Sequence, residues 1–424
     1  MEYFLFSFCL LLIIWGCPKI GFIKRSGLSA KEIRSLLFFK IITGLLFAYY
    51  FKNLSGNHDY NIMNEEGIIH YKLLISNPSH FFNDLSSDIQ QYGFRRLFET
   101  SNSFWAYLRF TLLYKFIAIL NLLTHGNFYF NTAIFCSLVF FGHVAFFRIY
   151  YSIYKAHKWK ILFACFCLPS LLLYTACIHK DGIIFLCVGM ISYIFYRFLS
   201  GLNYKKWYYL LIVFFSMLLV FLFRNYVLVA LLPAMFVGVA GVSLKWKQRY
   251  IFIGCYLVFI VAFFITGITT SSFNLPAAVV QRKADFASLE QGSTSISMND
   301  LQPTITSFTK NLPQAIDHSL LRPYLWEFSR PSVLLTAFEL LFYQLLIVLF
   351  ILYHKKEQKQ IHPFNIFGLA LFFNMMLIIG YTIPNIGAIV RYRSIYWILI
   401  VCPILCNIDW NRLRSVFRPK ANAV

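Results

Sequence analysis

Charge is what this sequence has least of. Only 13% of its 424 residues are Asp, Glu, Lys or Arg, against about 25% in an ordinary soluble domain, and that excludes a soluble globular enzyme. Acid is scarcer still, with 17 Asp and Glu facing 38 Lys and Arg for a formal charge of +21. No P-loop, Gly-rich dinucleotide fingerprint or His/Cys metal cluster occurs, so nucleotide-driven transport, dinucleotide redox chemistry and zinc hydrolysis are excluded as readings. No internal repeat of the kind that marks many transporters is found either. Cys165 and Cys167 have the wrong spacing for a zinc knuckle, and nine of the ten cysteines lie inside apolar runs. There they act as small hydrophobes, and no disulfide framework follows.

What the chain has instead is apolar length. Forty-eight Phe and 27 Tyr sit among apolar runs of 15 to 23 residues, many long enough for a hydrocarbon core of about 30 Å. Runs near 2–16, 36–51, 128–147, 161–178, 182–198, 207–223, 226–243, 250–267, 331–353, 362–381 and 391–409 predict an all-α polytopic integral membrane protein with about eleven transmembrane helices. Six connections are dense in Lys and Arg: 19–34, 148–160, 197–206, 245–249, 355–359 and 412–420. Beside anionic lipid, such charge belongs to cytoplasmic loops and not to a nucleic-acid surface. The expected topology is therefore a single multi-pass membrane domain over residues 1–424, its N-terminus outside and its C-terminus cytoplasmic. The first run has no basic residues before it and is expected to be a retained helix, not a cleaved signal. The apolar segment 104–124 carries Arg109 and Lys115 and would upset this topology as a crossing. It is expected to be an amphipathic interfacial or re-entrant juxtamembrane helix.

Two long outer-face loops result, 52–127 and 268–330, and they hold most of the acid. Within the first, helical spacing would put Asp59, Glu66 and His70 on one face. A carboxylate just outside a bilayer is suited to take the proton of an acceptor hydroxyl; Asp59 is the first candidate, then Glu66 and Glu65. The polar, Ser-rich stretch 281–303 is expected to be a mobile surface loop or lid, and Asp84, Asp88, Asp285, Glu290 and Asp300 solvated loop acids. Cationic points recur where spans meet. His179, Lys180 and Asp181 form a charged triplet between two runs, and Arg224 separates two more. Arg391 and Arg393 follow the helix-breaking Pro384-Asn385-Ile386-Gly387, while Arg322 and Glu327 lie near Trp326. Guanidinium forks match phosphate oxygens, and irregular backbone at membrane depth needs a polar cavity. Lys180, Arg224, Arg322, Arg391 and Arg393 are therefore expected to converge on one outer phosphate site, with Asp181 and Glu327 as counter-charges and His179 held by Asp181.

The segments PSLLLYTACIHKDG, FRNYVLVALLP, LPQAIDHSLLRPYLWE with Phe338-Glu339, and NIGAIVRYR together resemble uncharacterised bacterial polytopic membrane proteins associated with exopolysaccharide and O-antigen assembly, over roughly residues 165–395. Pro169, Ser170, Lys180 and Asp181 match that class; Tyr174-Thr175-Ala176 replaces its usual Trp-Ser-Gly-like residues. More loosely, the acidic first outer loop and late arginine pair resemble GT-C glycosyltransferases and O-antigen polymerases. The resemblance implies an enzyme of the bacterial inner membrane that acts on polyprenyl-phosphate or diphosphate saccharides at its outer face, with a saccharide acceptor, membrane lipids around it and no nucleic acid. It assigns the base to Asp59, Glu65 or Glu66 on the GT-C plan, or gives the work to Arg224, Arg322, Arg391 and Arg393 on the polymerase plan. Both plans stay open, as do a transporter or flippase of a lipid-linked saccharide and a non-catalytic subunit of an assembly complex. No cofactor is evident; a divalent metal is compatible with the residues but nothing indicates one.

Overall fold

The computed structural model describes residues 2–53, 58–84, 93, 104–203, 206–244, 246–269, 274–288, 294–327, 331–355 and 361–417. Helices α1 to α5 span Glu2–Gly16, Gly21–Lys24, Ala30–Asn53, His58–Ser76 and Pro78–Asn83. Helices α6 to α10 span Phe104–Thr124, Phe128–Ile153, Lys158–Phe166, Pro169–Tyr174 and Lys180–Leu199. Trp207–Ser243 (α11), Gln248–Thr269 (α12), Leu275–Ala287 (α13), Ile305–Ile316 (α14) and Pro331–Tyr353 (α15) follow. The chain ends with Pro363–Thr382 (α16), Ile386–Ser394 (α17), Ile398–Asn407 (α18) and Trp410–Phe417 (α19). Among the described residues the only strand-like pairings are two isolated bridges, Ser295 with Asn385 and His354 with Ile408. Local sequence sets many of the starts. Asn127, Asn274, Thr304 and Asn385 accept amide protons from the first turns they precede, which satisfies donors a helix leaves open.

Among the described residues eight helices are long and apolar enough to cross a membrane, and nine if the pair α17 and α18, bent by 61°, is one span. The expected eleven differ from these for physical reasons. The run 2–16 forms a helix of only 15 residues. The run 161–178 is divided between α8 and α9, because Pro169 has no amide to continue the ladder and the chain restarts there. Helix α6, expected at the interface, is 21 residues long and apolar enough to be one of the eight; it has apolar residues on both its buried side, at Leu113 and Ile117, and its exposed side, at Ile119, Leu122 and Leu123. The amphipathic pattern expected of it falls on α14, which buries Phe308, Asn311 and Ala315 on one side.

The runs 207–223 and 226–243 join in α11, whose 37 residues are interrupted at Arg224 by φ −152°, ψ 75°. The two halves are arms of a hairpin. Tyr209 meets Arg197, with the guanidinium 5.3 Å from the ring, while Gly238 packs on Phe195. A straight helix would hold Tyr209 and Gly238 about 44 Å apart, yet their partners are two residues apart in sequence. Val213 of one arm and Val239 of the other also line one apolar pocket with Ile191 and Phe195.

The centre of the bundle is α7 against α10, the most buried of the spanning-length helices, whereas α12 is the most exposed of them and lies at the periphery. Gly189 allows the central pair to approach, since a Cβ there would come 3.0 Å from the Gly142 carbonyl oxygen; small residues do the same between membrane helices generally. The described parts of the six basic connections gather at one end, Arg412 beside Lys155 and Lys355. Lys158 pairs with Glu32 at 2.8 Å, Arg148 donates to the Phe22 carbonyl, Lys355 meets His157, Ser200 meets His362, and Gln248 donates to the Ile361 carbonyl. The charged triplet at 179–181 lies at the opposite end of α10 from Arg197.

Candidate functional site

The site grows from a break in the chain. After Pro169 the short helix α9 ends at Tyr174, and the chain turns until His179 caps α10. Asp181 thereby occupies the first turn of a helix, where the amide ends favour negative charge, and it is wholly buried. His179 Nδ1 lies 2.7 Å from Asp181 Oδ2. The Asp181 amide is 3.3 Å from the same nitrogen, so the imidazole proton belongs with the closer carboxylate contact.

Two arginines from distant segments close on that carboxylate. Arg224, at the apex of the α11 hairpin, pairs through Nη2 with Oδ1, and Arg391 Nε from α17 is 3.6 Å from Oδ2. Arg224 also donates to the Tyr226 hydroxyl and stacks with its guanidinium carbon 3.8 Å from the Tyr392 ring centre. Arg282 of α13 lies 3.9 Å from the Tyr226 ring centre and is buried, its Nε without a hydrogen-bond partner among the described residues. Burial pulls the Arg282 guanidinium below its ordinary value, with Tyr226 and Tyr392 pushing back. Arg109 of α6 is electrostatically coupled to Arg282, Arg224 and the same two tyrosines. Lys180, half-buried over the Phe110 ring, is coupled to Arg224, Arg109 and Arg391.

Five cations thus cluster here, two of them, Arg224 and Arg391, directly on the Asp181 carboxylate. Buried charges of one sign need counter-charge and aromatic faces to be tolerated; among the described residues Asp181, Asp285 near Arg282, Tyr226 and Tyr392 supply both, and the cations outnumber these carboxylates. Such a surplus is what an anionic ligand neutralises. Among the described residues no group of three or more His, Cys, Asp and Glu side chains is arranged to hold a metal ion.

Of the expected phosphate ligands, Lys180, Arg224 and Arg391 meet around Asp181, with His179 beside it. Arg393 and Arg322 do not join them. Arg393 turns to the carbonyls of Ser319, at 2.7 Å, and Arg322, and it is coupled to Glu339. Glu339 accepts the Ser170 amide and the Tyr343 hydroxyl. Arg322 pairs with Asp317 at 3.0 Å and with Glu327 at 3.2 Å, so Glu327 serves Arg322 and not the Asp181 cluster. Arg393 thereby ties the chain at 319–322 to α17, and Glu339 ties α15 to α9. Burial and Arg322 together lower the pKa of the neighbouring His318.

The first outer segment reaches the site through α4. Its Tyr60 ring packs 5.7 Å from His179 and 4.5 Å from Phe51. Asp59 precedes Tyr60 in this helix, but its side chain lies outside the described residues. Glu65 is exposed and Glu66 half-exposed, a further turn and more along α4, and Glu66 is coupled to His70. Asp84 is no solvated loop acid: it pairs with Lys115 at 2.5 Å and lies 3.8 Å from His70, clamping α6 to the α4 and α5 region. Asp88 and Glu290 lie outside the described residues, while Asp285 sits in α13. The stretch 281–303 is likewise not all surface lid. Its first part is helical and buries Arg282, and Ile296 donates to the Pro384 carbonyl.

Sequence reasoning missed Arg109 and Arg282 as members of the cluster. Arg109 had a signal, a lone arginine in an apolar 21-residue helix; Arg282, in a polar run, had none. It also missed Lys40, fully buried in α3 and bonded through Nζ to the Thr175 hydroxyl at 2.9 Å. No protein-family model, no curated protein and no solved structure matches this chain.

Proposed function

We propose that this chain is a membrane enzyme that transfers or polymerises sugars carried on polyprenyl phosphate or diphosphate, at the outer face of a bacterial inner membrane. The observation that supports this most is the closing of Arg224 and Arg391 on Asp181, with Lys180, Arg109 and Arg282 around them. A diphosphate placed among these cations meets guanidinium forks on several sides. As the bond from the sugar to the phosphate breaks, charge grows on the leaving oxygen, and preorganised cations lower that barrier. Asp181 is already engaged by two guanidiniums and an imidazole, so it orients the cations and is ill suited to take a proton. The base falls to Asp59, the residue before the Tyr60 that packs on His179. The arginine-centred plan and the carboxylate base are in this reading two parts of one site.

The test uses membranes containing the chain, labelled polyprenyl-diphosphate saccharide and an acceptor glycan. Arg391→Ala should weaken donor binding, while Asp59→Asn should retain donor and lose about 10²-fold or more in transfer rate. Unchanged transfer in both variants would reject the enzyme. A second reading, movement of a lipid-linked saccharide across the bilayer, draws on the broken helix beside the site, between α17 and α18. Discontinuous helices of this kind hold substrates in transporters. Donor translocated into sealed vesicles without any change in its covalent structure would favour it.

A further inference from the structure

At the end of the bundle away from Asp181, a cavity of about 760 Å³ opens between the ends of α7, α15, α18 and α19. Lys155, His157, His354, Lys355 and Arg412 line it together with Tyr154, Asn407 and Asp409. Asp409, its only acidic lining residue among the described residues, is used elsewhere: Oδ1 caps α19 by accepting the amides of Asn411 and Arg412. Among the described residues none of the three cationic side chains lies within ion-pair distance of a carboxylate. Lys355 Nζ instead contacts His157 Nε2 at 2.9 Å and the Cys406 carbonyl at 3.1 Å. Backbone bonds fix the frame, with the Lys355 amide on the Asn407 carbonyl and the Asp409 amide on the Tyr353 carbonyl.

We propose that this cavity binds a phosphate-bearing ligand, held by Lys155, Lys355 and Arg412. Three cations and two imidazoles converging with no ion-paired carboxylate among the described residues form a site complementary to a compact dianion or phosphodiester, and the volume exceeds that of phosphate alone. A lipid headgroup at the membrane surface and a soluble phosphate ester share this chemistry. The Lys355 contact adds a signature. His157 accepts from an ammonium, so its ring is neutral at Nε2, and burial with Lys355 and Lys160 nearby lowers its pKa. Lys155, His354, Arg412 and Asp409 are the other ionisable groups around it. A bound phosphate offsets this positive field and favours the imidazolium, so ligand affinity rises as pH falls from about 8 to about 6.

The full-length chain in phosphatidylcholine nanodiscs is titrated with glycerol 3-phosphate, and in parallel reconstituted with increasing phosphatidylglycerol, following the melting temperature in both arms. A saturable rise is expected in one of them, stronger at the lower pH. Glycerol 3-phosphate acting alone identifies a soluble ester, and phosphatidylglycerol acting alone a headgroup. Lys355→Met should weaken binding about tenfold. Because Lys355 also bonds Cys406, the exposed Lys155→Gln and Arg412→Gln provide the same readout without touching that frame, whereas Lys310→Gln outside the cavity should bind normally. No saturable response in either arm, or an equal response in wild type and all three cavity variants, overturns the proposal.

Discussion

The two ends of this bundle are both cationic, and they handle their charge differently. At the Asp181 end, Arg224 and Arg282 are buried and pressed onto tyrosine rings around one buried carboxylate. At the Lys355 end the lysines and Arg412 line an open cavity in which the one acid, Asp409, is occupied as a helix cap. A cation removed from water needs a fixed counter-charge within the fold, while a cation at a wet cavity is neutralised by solvent, salt or ligand. The first end is therefore part of the folding energetics as well as a candidate site. The second is proposed as a site whose cations contribute less to the fold.

The broadest test of this contrast is whether the two ends face opposite sides of the membrane. Ser295, joined to Asn385 near the Asp181 end, and Lys155 of the other end are both exposed. With an impermeant thiol reagent, Ser295→Cys should label in intact spheroplasts and Lys155→Cys only after permeabilisation, each above the background of the parent chain. Labelling of both in intact cells would place the ends on one side.

Next in size, Asp181→Ala strips the carboxylate from Arg224 and Arg391 and should cost about 3–5 kcal/mol, as removal of one partner from a buried pair does. Thermal unfolding in detergent should show it as a large fall in melting temperature or loss of folded protein. A melting temperature close to wild type would mean that water already reaches these arginines, and the contrast between the ends would fail.

Lys40 sharpens the same point from the other direction. It is buried and bonded to Thr175, with no carboxylate in ion-pair distance among the described residues, so Lys40→Met removes a costly desolvated charge and replaces it with apolar volume. The expected change is within about 1–2 kcal/mol and of stabilising sign. A loss as large as that of Asp181→Ala would show that Lys40 holds an anion in the folded protein.

The smallest effect concerns pH. Burial lowers the His70 pKa, Asp84 opposing it and Lys115 adding to it. The neutral ring belongs to the folded state, so its contribution is present above the unfolded value of about 6.5 and is lost as pH falls through and below it. Between about pH 7.5 and pH 5.5 the wild-type melting temperature should fall slightly more than that of His70→Gln. An identical pH dependence would mean that solvent screens the ring.

The sequence by itself determined the class of molecule: apolar runs of spanning length impose helices, because only helices and closed barrels satisfy backbone groups in hydrocarbon. It also marked where the chain would break, at Arg224 and at Pro384-Asn385-Ile386-Gly387, and it marked His179, Lys180, Asp181 and Arg391 as charges too costly to be incidental. Tertiary structure alone decided which charges meet. Periodicity along one helix carries no record of contacts between residues more than a hundred positions apart, so Arg391 joins Asp181 while Arg393, two residues later on another face of the same helix, turns to Ser319 and Glu339. For the same reason Arg282, in a run as polar as any surface loop, is buried against Tyr226. Only the packing of α13 on the bundle removes it from water.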